Sequence, residues 1–404
     1  MLIKLTMLLI FFAVMVAIGL YCRKTASDVN GFVLGGRSVG PWLTAFAYGT
    51  SYFSAVVFVG YAGQFGWKYG IAATWAGIGN ALLGSLLAWV VLGRRTRIMS
   101  QHLDSATMPE FFGKRFGSPS LKVAASVIIF IFLIPYTASL YNGLSRLFGM
   151  AFDIDYTVCV IVMAVLTGVY VIAGGYMATA INDFIQGIVM RLGIVAVIVA
   201  VLVNNGGFTE ALTTLSLIPA EGSEMAGPFV SFFGPNLPDL IGVIVLTSLG
   251  TWGLPQMVQK FYAIKSGPAI KQGAIISTVF AMVVAGGSYF LGGFGRLYGD
   301  QVEMTAAGTP VYDSIMPTML STLPDLLIGI VIVLVLSASM STLSSLVLTS
   351  SSTLTLDLLK DNVVKNMSEK KQLGYMRVLI VVFIVISAVI ALVQYNSSIT
   401  FIAQ

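Results

Sequence analysis

Apolar positions run almost without interruption through nine stretches of the chain, near residues 3–22, 71–93, 121–148, 156–173, 180–203, 238–262, 272–294, 322–352 and 373–394. Each suits one passage through a hydrocarbon core of about 30 Å, which takes roughly 20 residues as an α-helix. A tenth stretch, 41–66, has the same apolar character but is interrupted by "GTSYFS". The pattern therefore predicts about ten crossings and an all-α integral membrane protein. The first stretch is too long for the apolar region of a signal peptide and lacks a small-residue cleavage site, so it is read as a retained helix.

Composition agrees: 57% of the 404 residues are hydrophobic, only 10% are charged, and the mean hydropathy is +0.91. No soluble globular class is that apolar. Cys22 and Cys159 lie in or beside apolar stretches, a pair that makes neither a disulfide framework nor a metal site. The net charge of +5 could fit a nucleic-acid partner, but its distribution argues otherwise. When the loops are assigned alternately to two sides, seventeen Lys and Arg residues, among them Arg37, Arg97, Lys122, Lys260 and Lys365, gather on one side. Only Lys4, Lys68, Arg146 and Arg296 fall on the other. That is the positive-inside bias, placing the N-terminus outside and the basic loops in the cytoplasm. Acids such as Asp153, Glu210, Glu221, Glu224 and Asp300 mark the outer loops. The expected setting is multi-pass in a bacterial plasma membrane, with the bilayer as partner and no nucleic acid.

Breakers organise the crossings. Residues 1–40 supply an extra N-terminal helix and a cytoplasmic loop. Residues 41–203 give five crossings, the first interrupted at "AYGTSYFSA". After an extracellular loop, 204–237, a second set over 238–404 opens with a crossing interrupted at "TSLGTWGLP". Five is odd, so the two sets enter from opposite sides, the arrangement of an inverted repeat whose paired broken helices line a site. Irregular backbone at membrane depth survives only where it faces protein or a wet cavity.

The stretch "LSASMSTLSS", 336–345, places six hydroxyls in ten residues of hydrocarbon-like sequence. Each unpartnered hydroxyl taken from water costs about 1–3 kcal/mol, so the density calls for a partner. At 100° per residue, Ala338, Ser341, Thr342 and Ser345 share one helix face, with Ser344 at its edge and Ser339 elsewhere. Hydroxyls, joined by carbonyls that a broken helix frees, are hard uncharged ligands suited to Na⁺. Packing and back-bonding to the previous turn are the competing use of such hydroxyls. Asp183 in "AINDFIQG" is also expensive, since a carboxylate at membrane depth costs roughly 3 kcal/mol unless paired or solvated. Arg191 cannot reach Asp183 along one face, and His102 belongs to a basic loop. No nucleophile–base pair or metal-ligand cluster occurs in the apolar segments, which argues against an enzyme.

Four segments, "FVLGGRSVGPWLTAFAYGTSYFSAVVFVGYAG", "AGGYMATAINDFIQGIVM", "WGLPQMVQKFYAIKS" and "ASMSTLSSLVLTSSSTLTLDL", together resemble the sodium:solute symporter family, kin of the sodium/proline, sodium/pantothenate and sodium/glucose cotransporters. The resemblance implies a leucine-transporter-type inverted-repeat fold with core helices 1 and 6 discontinuous, working by alternating access. It implies sodium-coupled symport of a small organic solute into the cell. It also implies a principal Na⁺ site from the backbone oxygens of Thr50, Phe53 and Ala338 with the hydroxyls of Ser341 and Thr342. A second Na⁺ site, present in some members, would use Asp183, Ser341, Ser344 and Ser345.

The substrate pocket is expected between the breaks, near Tyr52, Ser54, Thr251, Trp252 and Pro255, where half-helix N-termini favour a solute carboxylate. At Tyr52 the proline branch carries Asp, whereas the pantothenate branch resembles this chain, a departure that counts against proline. Val56 and Val57 replace the polar sugar-binding residues of the glucose branch. The second departure counts against a sugar, and the resemblance as a whole implies a carboxylate or amino acid, pantothenate-, monocarboxylate- or proline-like. Arg191 sits at a position that is apolar in relatives. The chain ends at Gln404, where the tenth core helix should begin, which reads as a truncation. The alternative function is a solute sensor, or a non-transporting fragment with the same fold.

Overall fold

The computed structural model describes residues 2–393 apart from 153–154, 221–224, 306–307 and 365–366. Asp153, Glu221, Glu224, Lys365 and the start of a helix beyond 393 therefore lie outside the described residues. In chain order the helices are α1 (Leu2–Tyr21), α2 (Val29–Leu34), α3 (Pro41–Tyr52), α4 (Ala62–Tyr69), α5 (Thr74–Gly79), α6 (Arg94–His102), α7 (Met108–Phe116) and α8 (Pro119–Phe152). They continue as α9 (Tyr156–Asn204), α10 (Phe208–Ser216), α11 (Leu237–Leu249), α12 (Pro255–Ala263), α13 (Gly267–Gly292), α14 (Tyr312–Ser321), α15 (Asp325–Thr353) and α16 (Glu369–Val393).

Among the described residues, seven helical runs are long and apolar enough to cross a membrane. The pair Leu237–Gly253 and Pro255–Ala263, bent by 54°, makes an eighth. Two runs are too long for one crossing. Val56–His102 has 47 residues and α9 has 49, about 70 Å each if straight against a core of about 30 Å. Each is divided at a glycine with left-handed φ, Gly70 at +62° and Gly175 at +54°. Divided there, they give every expected crossing a counterpart.

Both expected breaks are present. The helix of α3 ends where Phe53 turns extended (φ −96°, ψ 116°), and helix resumes at Ala55 through π-helical Val56–Tyr61 into α4. The second break lies at Leu254 (φ −68°, ψ 122°), between the 3₁₀ turn Gly250–Gly253 and α12. Pro255 is its local cause, because a proline ring pushes the residue before it out of the α region. It then serves α12 as a first-turn residue whose missing N–H costs nothing.

The core is organised around α15, which is buried on nearly every face from Ile328 to Thr353. α1 is pinned to its outer end by Lys4, whose Nζ lies 2.9 Å from Asp325 Oδ1. At the inner end Lys122 of α8 lies 3.2 Å from Asp357 and 2.7 Å from Asp361, and Thr107 donates to Asp357 at 2.7 Å. Where α4 crosses α13, Gly66 and Gly292 let the backbones touch: a Cβ on Gly66 would lie 2.0 Å from the Gly292 carbonyl oxygen.

Candidate ion and solute site

The last carbonyls of a helix lack i+4 donors, and at α3 they end inside the protein. Thr50, three residues before the break, presents its carbonyl to α15. Ser341 Oγ donates to it at 3.3 Å and Thr342 Oγ1 at 3.4 Å. The same hydroxyls lie 3.2 and 3.1 Å from the Ala338 carbonyl oxygen. Four oxygens from two helices thus converge, all fully buried. Spacings of 3.1 to 3.4 Å suit the edges of a cage around a hard cation held at roughly 2.3–2.6 Å from each oxygen. The partial negative end of α3 adds to the attraction. Phe53, the fifth expected member, sits at the break itself, where its extended backbone takes its carbonyl off the helical path.

The residues of the expected second ion site are arranged differently. Ser344 Oγ turns back to donate to the Ser341 carbonyl at 3.0 Å, and Ser341 Oγ faces the first cage. Ser345 Oγ accepts from Lys260 Nζ at 3.0 Å and is paired with Ser51 Oγ at 3.0 Å. Asp183 is fully buried and, among the described residues, accepts no hydrogen bond; its charged neighbour there is again Lys260, with Nζ 3.8 Å from Oδ2. Lys260 was expected in a cytoplasmic loop. It is instead 1% exposed, on α12, with its ammonium 5.1 Å from the Tyr176 ring centre. The sequence signal was available, since a lysine inside the apolar run 238–262 is as expensive as Asp183.

Around the second break the polar groups are mostly committed to backbone. Tyr52 donates to the Thr247 carbonyl at 2.8 Å, Thr251 to Ser248 at 3.0 Å, and the Trp252 indole to Leu83 at 3.0 Å. Trp252 and Leu254 pack against an aromatic cluster of Tyr48, Tyr52, Trp89 and Phe261. Tyr52, Thr251 and Trp252 thus fall together, whereas Ser54 lies at the first break beside Ala55, which packs on Gly143 of α8. Gln256, a residue to which the sequence pattern gives no role, follows Pro255 in the first turn of α12. It is fully buried and, among the described residues, neither end of its amide has a hydrogen-bonding partner. Arg191 also finds its explanation in three dimensions. Its guanidinium is 4.7 Å from the Phe46 ring centre and 5.1 Å from that of Phe280, and donates to the Ile276 carbonyl at 3.3 Å.

The inner ends of the two broken helices are joined. Val39 N–H donates to the Ala263 carbonyl at 3.2 Å and Lys265 N–H to the Val39 carbonyl at 3.0 Å, a short parallel bridge between the lead-in to α3 and the exit from α12. Arg97 clamps it by donating to Ile264 at 2.9 Å and Lys265 at 2.7 Å. Arg37, itself left-handed at φ +54°, donates to the Ser105 carbonyl at 2.8 Å, Ser100 Oγ at 3.3 Å and the Tyr262 carbonyl at 3.5 Å. Partial burial lowers the Arg37 pKa, with Asp104 and Glu110 opposing; a guanidinium stays charged regardless.

The sequence profile of the sodium:solute symporter family matches residues 32–404. The osmoregulated proline transporter OpuE of Bacillus subtilis (strain 168) is 28% identical over 386 residues, covering 95% of this chain and 76% of the relative. A sodium/proline symporter of Staphylococcus aureus (strain JH9) is 29% identical over 392 residues, covering 94% and 74%. A solved Na⁺-coupled sialic acid symporter, in a substrate-bound outward-open state, superposes with a TM-score of 0.81 at 18% identity, over 98% of this chain and 81% of that one. The likeness is one of fold, a leucine-transporter-type helical arrangement. The chain belongs to the sodium:solute symporter family, and is a multi-pass plasma-membrane protein that couples movement of a small solute to sodium.

Proposed function

We propose that the chain carries a small carboxylate-bearing solute, of the amino-acid or monocarboxylate class, into the cell together with Na⁺ held by Thr50, Phe53, Ala338, Ser341 and Thr342. The observation that carries the reading is the convergence of the Thr50 and Ala338 carbonyls with the Ser341 and Thr342 hydroxyls across the α3 break. An ion there ties α3 to α15, and so couples its own binding to the position of a broken helix. The solute is placed between the breaks, among Tyr52, Ser54, Thr251, Trp252 and Pro255, with Gln256 added. The positive N-terminal end of α12 favours a carboxylate, and the Gln256 amide is a buried donor and acceptor without another partner. Both named relatives are proline transporters, which supports the amino-acid end of the class. The inverted repeats are assigned to 41–203 and 238–404, joined by 204–237 outside and preceded by 1–40.

The test is uptake by purified full-length protein in proteoliposomes, with and without a sodium gradient, over L-proline, pantothenate and short monocarboxylates. At least one should accumulate only with the gradient, and Thr342→Ala should weaken the sodium dependence about tenfold or more. Sodium-independent uptake, or equal competition by the amide analogue of the transported acid, would refute the reading.

A further inference from the structure

We infer that Lys260 is a built-in cation that occupies the second ion position of this transporter, so that each cycle carries one sodium ion where the residue set around Asp183 would otherwise admit two. The inference rests on the reading of the first ion cage and concerns a different set of atoms. The ammonium of Lys260 is hydrogen-bonded to Ser345 Oγ at 3.0 Å, stands 3.8 Å from Asp183 Oδ2 and lies over the Tyr176 ring at 5.1 Å. Ser345 in turn meets Ser51 of α3 at 3.0 Å. One buried cation therefore links α12 to α9 and, through Ser345, to α15 and α3, as an ion at this place would.

Charge and ligand supply both favour the lysine over a second sodium. Asp183 carries one negative charge, which Lys260 already balances. A sodium ion added beside the pair would leave a net positive charge in a site that water does not reach, and buried charge without compensation is heavily disfavoured. The hydroxyls are committed as well: Ser344 bonds back to its own helix, Ser341 faces the first cage, and Ser345 is held by the ammonium. The side chain of Lys260 is tethered to α12 and cannot leave with the solute. It supplies the charge that steadies the closed arrangement without being transported, and the driving force per solute is halved relative to a two-ion carrier.

The experiment counts ions. Saturation binding of ²²Na⁺ to the purified full-length protein should give one ion per chain, and Lys260→Gln, which removes the charge and leaves Asp183 in place, should raise it to two. Two ions bound by the unaltered protein, or no gain in Lys260→Gln, overturns the inference. Should Lys260→Gln fail to fold, the neutral pair Asp183→Asn/Lys260→Gln decides the matter. It should bind as many ions as the unaltered protein, and one ion fewer would mean that Asp183 had been holding sodium. Thr342→Ala separates this from the reading above. If bound sodium survives Thr342→Ala, the first cage is misassigned, while the gain of one ion in Lys260→Gln still tests Lys260.

Discussion

Replacing Arg37 by alanine should loosen the inner closure by a measurable amount. The guanidinium makes one short contact, 2.8 Å to the Ser105 carbonyl, and two long ones, 3.3 Å to Ser100 and 3.5 Å to the Tyr262 carbonyl. Hydrogen bonds from a charged donor contribute roughly 1.5–3 kcal/mol each, and the long ones much less. Because Arg37 is only partly buried, solvent discounts the sum to about 2 kcal/mol, and 1.4 kcal/mol is a tenfold change in an equilibrium. Opening of the Val39–Ile264 bridge should therefore become about 30-fold more frequent. Amide hydrogen exchange reads this directly, since the Val39 and Lys265 amides are the two donors of the bridge and exchange when it opens. Peptides covering 38–41 and 263–266 should lose about 30-fold in protection, while peptides from the middle of α15 stay unchanged. Unaltered exchange at 39 and 265 would show that Arg97 alone holds the closure.

Ser341→Ala should weaken sodium dependence about tenfold and Ser344→Ala hardly at all, measured as the sodium concentration for half-maximal uptake; equal effects would mean that Ser344 does not stay folded back on its helix. In sodium-free buffer, Asp183→Asn and Lys260→Gln should each lower stability by about 3–5 kcal/mol, because each leaves a buried charge alone. Their combination should cost far less than the sum in detergent-solubilised thermal unfolding, and additive losses would dismiss the pair. Gln256→Leu removes an amide that has no protein partner, so the melting temperature should hold or rise while solute affinity falls about tenfold; a fall in stability with affinity intact would return Gln256 to a packing role.

The crossings and both breaks were readable because hydrocarbon length and chain breakers act locally. "GLP" forces Leu254 out of the helix whatever surrounds it. The face formed by Ala338, Ser341 and Thr342 was readable for the same reason, being a matter of helical period. Partners were not readable. Helical period puts Ser341 and Ser345 on one face with Ser344 at its edge, and the resemblance groups Ser341 with Thr50, but only packing turns Ser344 back to its own helix and brings Ser345 to Lys260. Lys260 was miscounted because the positive-inside bias counts basic residues by loop, and its place near the end of an apolar run hid the carboxylate 77 positions earlier in the chain. Arg191 looked unaccountable because Phe46 and Phe280, the touching rings it lies over, come from distant crossings.

The bridge between Val39 and Ile264 bears on leakage. It fastens the lead-in of one discontinuous helix to the exit of the other, so the inner halves α3 and α12 are hinged as a single body. With the proposed sodium cage on α3 and the proposed solute position at the start of α12, neither half can swing away while the other stays. Ion and solute are thereby discharged through one shared opening, and sodium slipping inward without cargo requires the bridge to tear rather than to rotate. On that assignment, tightness of coupling rests on this backbone bridge and on the Arg97 and Arg37 contacts that clamp it, set apart from both proposed binding positions.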